Sequence, residues 1–523
     1  MIPSLPKTAV TAFVLALVIA ALLTPNLRRF AEAHGFLDEP KDSRRIHRRA
    51  VPRIGGLAVV AAFYAPLLGL LLYETDLGRL FYENGVRGMS LLLGGFAIAA
   101  LGLYDDLRGA NAWQKFAVQF GVAGALWSCG YRIEQVSLPG GALELGLFAL
   151  PLTLVWIVGL INAMNLIDGL DGLAGGVALC AVLTNLAVSM VRGQPIMTLC
   201  MAALAGALIG FLFYNFNPAS IFLGDTGSLF LGYVLAVSSI RTHQKSSAVV
   251  SLLVPVVALA VPIVDTALAM GRRALTGRSM FSGDRDHIHH RLLGLGLSQR
   301  QAALVLYATS VVLGGVALAL AFANDPAVAW ILVALSIAGF VALRRLGFFH
   351  VGGDMLRLRK RNLAMRSAVD NIALSLRRAG SVGDVLDSVK IFASVVSADQ
   401  MRVYLRSADL ALQGVKATVL RGPSRLPING HANDAPAPFL AHFNLPDEMG
   451  KVELEWHDGR VELDRDHELA TEVMCGHIAH ALRRVAPEIM LPLRESRPIW
   501  APIEPFVTSL ALARDRRRRD SDA

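Results

Sequence analysis

The sequence predicts an all-α polytopic membrane protein of about eleven transmembrane helices, followed by a C-terminal cytoplasmic α/β domain. Three observations carry this prediction: apolar runs long enough to cross a bilayer, a scarcity of charge, and arginines gathered in alternate loops. Hydrophobic residues make up 54% of the 523-residue chain and charged residues only 17%, where a soluble domain carries roughly 25% charge.

The apolar runs lie near residues 8–26, 54–73, 88–104, 116–131, 147–164, 173–191, 196–214, 227–240, 247–270, 300–322 and 327–343. Each approaches the about 20 residues that a helix needs to cross the hydrocarbon core. The first run is read as a retained span rather than a secretory signal. Lys7 alone precedes it, Arg28 and Arg29 follow it, and no small-residue cleavage site is evident. Cys129, Cys180, Cys200 and Cys475 show no metal or redox spacing. The first three fall in predicted spans, where a thiol serves as a small apolar filler.

Charge sets the orientation. Arg28, Arg29, Lys41, Arg44, Arg45, Arg48, Arg49 and Arg53 crowd the loop after the first run. Assigning that loop to the cytoplasm places 105–115, 165–172, 215–226, 271–299 and everything after 344 on the same side. Arg272, Arg273, Arg278, Arg285 and Arg291 in the fourth of these, and Arg344 and Arg345 at the start of the tail, agree. The loops 74–87 and 131–146, on the other side, mix Arg with Glu and Asp. The net charge of +9 is therefore read as membrane topology and contact with anionic lipid. No nucleic-acid motif accompanies it, so nucleic acid is not an expected partner.

The chemistry-bearing residues fall on the side assigned to the cytoplasm. Asp105 and Asp106 close the third run, and Lys115 opens the fourth. Asn162, Asn165 and Asp168, spaced by three, share one face of a helix end, with Asp171 just beyond. Asn215 and Asp225 bracket Asn-Phe-Asn-Pro-Ala-Ser-Ile-Phe-Leu-Gly-Asp, and Asp286, His287, His289 and His290 occupy the loop after the ninth run. Carboxylates at the edge of hydrocarbon are costly unless paired, hydrated or bound to a cation. Oxygen ligands select a hard ion, Mg2+ with Mn2+ as its substitute, while His and Arg offer donors to phosphate oxygens. Taken singly, each cluster has a plain structural reading: a solvated helix end, polar contacts between helices, an exposed histidine loop or zinc site, a turn anchored by Asp. Their coincidence on one membrane face favours a site acting on phosphorylated substrates.

At these residues the chain resembles the polyprenyl-phosphate N-acetylhexosamine-1-phosphate transferase family over roughly residues 1–345. Asp105 and Asp106 match its paired aspartates, Asn165, Asp168 and Asp171 its Asn-x-x-Asp-Gly-x-Asp-Gly motif, Asp225 its Phe-x-Gly-Asp-x-Gly-Ser motif, and His287, His289 and His290 its histidine loop. The resemblance implies ten or eleven transmembrane helices, Mg2+ dependence, and a cytoplasmic active site that joins a polyprenyl phosphate to a UDP-sugar with release of UMP. It implies Asp225 as a metal ligand; one of the paired aspartates, Asp106, is expected beside it, with Asp105 taking any remaining proton or positioning the lipid phosphate, or the two with these roles exchanged. It also implies catalytic roles for Asp105, Asp106, Asp168 and the three histidines, and uridine contacts at Gly169, Leu170, Asp171, Asn215 and Phe222. Lys115, Arg44 and His47 complete the implied substrate-binding set. The stretch Asp38-Glu39-Pro40 to His47, followed by Pro52-Arg53-Ile54-Gly55-Gly56, is similar to the GlcNAc-transferring branch, with Arg45 standing where that branch carries Lys. The phospho-MurNAc-pentapeptide transferases carry a Lys-x-Gly-Thr-Pro-Thr-Met-Gly-Gly loop instead and form the alternative.

The competing reading from another class is a membrane transporter of anionic solutes. Transporters place carboxylates near the midplane, often in repeated halves. Here the carboxylates gather at one interface and no internal repeat is evident.

From about residue 346 the composition becomes that of a soluble domain, expected to run to 490 before a disordered basic tail at 491–523. The patterning predicts helices over 362–379, 382–396 and 464–485, strands at 400–406, 414–421 and 451–456, and a loop at 422–437. The order is GAF-like. Docking of downstream glycosyltransferases through this domain, and a homodimer, are the further partners expected.

Overall fold

The computed structural model describes residues 5–38, 51–72, 85–138, 141–243, 253–276, 287–322, 325–346, 354–405, 414–415, 438–446, 449–458, 460, 463 and 465–485. The chain divides into two compact units, one drawn from Met1–Arg272 and Met280–His350, the other chiefly from Val351 onward.

The first unit is built from helices. In chain order they are α1 (Leu5–His34), α2 (Gly56–Leu72), α3 (Gly85–Arg108), α4 (Ala112–Ser128), α5 (Ala149–Ile167), α6 (Leu173–Val191), α7 (Pro195–Asn215), α8 (Gly224–His243), α9 (Leu253–Ala258), α10 (Ala260–Thr276), α11 (Ile288–Gly294), α12 (Gln299–Phe322) and α13 (Asp325–Arg345). Each apolar run overlaps a helix, and the described part of the ninth, from residue 253, is shared between α9 and α10. Among the described residues, α1, α3, α5, α6, α7 and α12 are long and apolar enough to cross a membrane. The chain is thus a mostly helical, multi-pass membrane protein.

Core position follows side-chain size. Helix α7 is apolar on all sides and rich in Ala and Gly, and almost every residue from Ile196 to Phe211 is buried. Small residues around the whole circumference let α1, α2 and α6 pack against it together. Helices α3, α5 and α6 in turn pack on α8. Two short antiparallel pairs decorate the loops: β1 (Leu37–Asp38) with β2 (Val51–Pro52), and β3 (Gln135–Leu138) with β4 (Gly141–Glu144).

The second unit contains α14 (Asp354–Arg378), α15 (Val382–Val395), α16 (Arg465–Val485) and an antiparallel sheet of β5 (Gln400–Leu405), β6 (Gly414–Val415), β7 (Phe439–Leu445) and β8 (Gly450–Trp456), in the order β6-β5-β8-β7. Ser381 starts α15 through a capping box: its Oγ accepts from Asp384 N at 3.2 Å, and Asp384 Oδ2 accepts from Ser381 N at 3.0 Å. On β8, Val452, Leu454 and Trp456 are buried in the core. Glu453 and Glu455, alternating with them, share Arg402 of β5 at 2.6 Å each. Strand β7 was absent from the sequence expectation, because Ala441, His442 and Asn444 dilute its alternation. The tail at 491–523 lies outside the described residues.

Candidate active site

The site begins with a glycine. Gly102 on α3 faces the first turn of α8, where a Cβ would stand 2.5 Å from both the Asp225 carbonyl oxygen and Thr226 Cα. Its bare Cα lets α3 lie directly on that turn. One turn further along α3, Asp106 reaches the free N–H groups of α8. Its Oδ1 accepts from Asp225 N at 2.9 Å, and its Oδ2 accepts from Thr226 N at 2.9 Å and Thr226 Oγ1 at 2.7 Å. The side chain is fully enclosed, with 0% exposure. A carboxylate here satisfies the orphan donors and suits the positive end of the helix dipole.

The neighbouring Asp105 does something else. Its Oδ1 accepts from Ala110 N at 2.5 Å, and its Oδ2 pairs with Lys115 Nζ. The same ammonium donates to Asp225 Oδ2 at 2.6 Å, so Lys115 sits between two carboxylates. Lys115 is delivered by the start of α4, where Asn111 and Gln114 form a reciprocal cap. Arg53 Nη2 lies 3.7 Å from Asp225 Oδ1 and 3.8 Å from Asp106 Oδ1, on a side chain 43% exposed. The backbone on either side of Arg53 is laced to the turn before α8: Phe222 N donates to Pro52 O (2.8 Å), Gly55 N to Phe222 O (3.0 Å) and Gly56 N to Leu223 O (2.7 Å).

The Asn-x-x-Asp-Gly-x-Asp-Gly stretch closes α5 beside these groups. Asn165 Nδ2 donates to Ser228 Oγ at 3.0 Å, tying α5 to α8. Burial, and then the negative charges of Asp225 and Asp106, push the Asp168 carboxyl up to about 8. Asp171 Oδ2 accepts from Asn217 Nδ2 and Ala219 N, both at 2.9 Å. Asn215 is buried and its Nδ2 donates to Ile221 O at 2.9 Å. The side chains of Asp171 and Asn215, expected at uridine, are therefore spent largely on shaping the 216–223 loop. Leu170 is buried, Gly169 is exposed and Phe222 is half-buried.

The histidines pack onto this turn. A Cβ on Gly169 would stand 2.7 Å from His289 Nε2. His289 is 2% exposed, and neither ring nitrogen has a hydrogen-bond partner among the described residues. Burial, and then the neighbouring His290, hold its pKa down to about 3, so it is neutral at working pH. Its ring stacks on His287 at 5.6 Å and lies against His290 at 4.3 Å. His287 is fastened by a residue that the sequence reading passed over. Asp265, buried on α10, places Oδ2 2.8 Å from His287 Nδ1 and accepts through Oδ1 from Ile288 N at 2.7 Å.

The structure thus gathers Asp105, Asp106, Asp225, Lys115 and Arg53 at one point, with Asn165 and Asp168 adjoining and the histidine loop docked on Gly169. Arg44, His47 and Asp286 lie outside the described residues. Arg53, Thr226 and Asp265 were missed as site residues. Arg53 stands one residue short of Gly55-Gly56, and Asp265 is a lone carboxylate inside an apolar run, which is the signal that marks it.

Carboxylates, an ammonium and a guanidinium massed at one end of a helical bundle define a membrane protein that handles charged groups at the bilayer edge. The chain belongs to glycosyl transferase family 4, whose model matches residues 88–243, the stretch from α3 through α8. It is 40% identical over 301 residues to a probable undecaprenyl-phosphate N-acetylglucosaminyl 1-phosphate transferase of Bacillus subtilis, covering 57% of this chain and 81% of that one. It is 33% identical over 356 residues to a decaprenyl-phosphate N-acetylglucosaminephosphotransferase of Mycobacterium tuberculosis, covering 63% and 86%. A phospho-N-acetylmuramoyl-pentapeptide-transferase of Heliobacterium modesticaldum is 33% identical over 303 residues, covering 54% and 88%.

Proposed function

We propose that the chain transfers N-acetylglucosamine 1-phosphate from UDP-GlcNAc to a polyprenyl phosphate at the cytoplasmic face of a bacterial inner membrane. The names of the Bacillus and Mycobacterium relatives support the sugar and the lipid. The observation that carries the reading is the Lys115 ammonium held between Asp105 and Asp225. It marks a carboxylate pair at the membrane edge that demands a cation.

In the reaction, an oxygen of the lipid phosphate bonds to the β-phosphorus of the nucleotide sugar. The bond from that phosphorus to the bridging oxygen breaks, and its electrons leave with UMP. A phosphate monoester has its second pKa at about 6, so the nucleophile is ionised without a strong base. Electrostatics is the obstacle. Among the described residues, Lys115 and Arg53 are the cations paired with Asp105, Asp106 and Asp225, and two further anions must be brought together. Arg53, half-exposed beside Asp225, supplies a fork for phosphate oxygens. Asp168, protonated through most of the neutral range, adds no charge there.

Mg2+ fits these residues. It binds through one or two carboxylates and completes its shell with water and substrate phosphate, and Asp105 and Asp225 already converge on one cation. Among the described residues no three His, Cys, Asp or Glu side chains form a ready metal cage. Bound there, the ion would neutralise the diphosphate and the departing UMP. Both oxygens of Asp106, expected as a metal ligand, hold the α8 turn that presents Asp225, which supports a positioning role for Asp106 and favours Asp105 as the second ligand. An eleven-crossing topology and a GAF-like second unit that docks partner glycosyltransferases complete the proposal.

The test supplies membranes carrying the chain with undecaprenyl phosphate, Mg2+ and separate UDP-sugars. UMP release with UDP-GlcNAc is expected. Release only with UDP-MurNAc-pentapeptide would move the chain to the alternative substrate, and no sugar-dependent UMP with any donor would end the transferase reading.

A further inference from the structure

A hydrogen-bonded relay runs from the start of α12 into the turn that closes α5. Asn217 Nδ2 donates to two acceptors, Asp171 Oδ2 at 2.9 Å and Gln299 Oε1 at 3.1 Å, which uses both hydrogens of the amide. Gln299 lies outside every motif that marks the site in the sequence.

Both ends of the relay are fixed. Gln299 is the first residue of α12, and a reciprocal cap sets that start: Ser298 N donates to Gln301 Oε1 at 2.9 Å, and Gln301 N to Ser298 Oγ at 3.3 Å. Further along α12 the Tyr307 hydroxyl donates to Gly172 O at 2.6 Å. A Cβ on Gly176 would overlap the Tyr307 ring, so glycine there is what admits the tyrosine. Helix α12 thus grips Asp171 through Asn217 and the next residue, Gly172, through Tyr307. At the other end, Asp171 Oδ2 also accepts from Ala219 N at 2.9 Å. The loop that carries Asn217 and Ala219 is pinned to the end of α7, where Ser220 N donates to Tyr214 O at 2.8 Å and Asn215 Nδ2 to Ile221 O at 2.9 Å.

The last torsion of an aspartate side chain is soft. Two donors on Oδ2, both from a pinned loop, fix the plane of the buried Asp171 carboxylate and with it the direction of Oδ1. Packing alone gives little reason for such a relay. Asn217 and Gln299 are both half-buried, and water would satisfy each amide as well. A carboxylate is an acceptor only. Uracil offers it an N3–H between two carbonyls, whereas N3 of cytosine is a bare acceptor. A carboxylate held in one orientation therefore takes the first base and rejects the second, as a site does when its competitor lacks the donor it was built around.

Resting on the transferase reading and on the uridine contact expected at Asp171, we propose that Gln299 is a positioning residue for nucleotide recognition. Through Asn217 it orients the Asp171 carboxylate toward the imide N–H of uracil, which makes the start of α12 part of the base-reading element.

Binding of UDP and of CDP to the full chain in detergent with Mg2+ is measured by calorimetry, which needs no turnover. The parent should prefer UDP. Gln299→Met keeps the length of the side chain and removes the acceptor. It should bind UDP about tenfold more weakly, on the order of one hydrogen bond, and CDP unchanged, so that the preference contracts by the same factor. Gln299→Glu, which keeps an acceptor for Asn217, should fall between. Thr309→Val, on the exposed side of α12 where the hydroxyl donates to Val305 O, should match the parent. Equal UDP affinity in parent and Gln299→Met would overturn the proposal. So would parallel weakening of UDP and CDP, which would mean that α12 merely props the turn, and so would a parent that binds the two alike. UMP release from UDP-GlcNAc is assayed separately. Its absence in the parent would end the transferase reading, while the UDP and CDP affinities would still decide the role of Gln299.

Discussion

Replacing Asp106 with Asn tests the division of labour within the aspartate pair. In the parent, the carboxylate accepts three hydrogen bonds from the first turn of α8, at 2.9, 2.9 and 2.7 Å, and is wholly enclosed. Asparagine keeps one acceptor and turns the other toward those donors as an NH2 group. Placing the amide oxygen at the Oδ2 position saves the two Thr226 bonds and leaves Asp225 N without a partner. The reverse placement loses two. Charge-assisted bonds contribute roughly 1.5–3 kcal/mol each, and a stranded buried donor costs about 1–3 kcal/mol. The expected destabilisation is about 2–4 kcal/mol, seen as a drop of several degrees in unfolding temperature measured in EDTA. UMP release should fall with it, because the turn that presents Asp225 loosens, and added Mg2+ should not restore it. An unchanged unfolding temperature in EDTA, joined to a higher Mg2+ requirement for UMP release, would refute the reasoning and return Asp106 to the metal.

Other perturbations read the remaining parts of the site. Lys115→Met removes the ammonium between Asp105 and Asp225 and leaves Arg53, 3.7 Å from Asp225, to offset both, so the gap between unfolding temperatures in Mg2+ and in EDTA should widen; an equal gap would show that the ammonium does not balance the pair. Asp265→Asn weakens the buried contact to His287 and should lower kcat for UMP release about 10–100-fold, the cost of losing an outer-shell partner, with little change in KM for the UDP-sugar; a change confined to KM would place Asp265 in binding instead. Asp168 holds its proton up to about 8 in the fold, far above the ordinary carboxylate range. A raised pKa makes the folded chain bind the proton more tightly, so this stabilisation is complete below about pH 4 and is lost as pH rises towards 8. Unfolding temperatures in EDTA between pH 5 and 9 should therefore decline in the parent and run flatter in Asp168→Asn, and parallel curves would contradict the assignment.

Helices were legible in the sequence because hydrophobicity over about 20 residues is a signal that needs no partner. The ninth run was the partial exception. Pro255 and Pro262 flank Leu259, where α9 gives way to α10, and proline withholds the N–H that a continuous helix would use. The second unit was legible where alternation was clean, as in Val452-Glu-Leu-Glu-Trp456, and illegible in β7, where small and polar residues blur the period. Motifs named most of the site's residues but not their partners. Asp105 and Asp106 are adjacent letters, and only the approach of α3 at Gly102 determines which one turns inward. Asp265 stayed hidden because its partner lies 22 positions away and becomes visible only once the chain has folded.

The ammonium between Asp105 and Asp225 also sets terms for whatever enters the site. A tethered amine is a resident competitor, present at the effective concentration of a short linker, on the order of millimolar or higher. In the proposed reaction an incoming cation would have to displace it, and would do so more readily when a nucleotide diphosphate arrived to share the charge. Ion and nucleotide would then be mutually reinforcing ligands, each tightening the other by the same factor. On that proposal the resting protein, with Lys115 in place, would hold its acids away from stray ions until substrate is at hand.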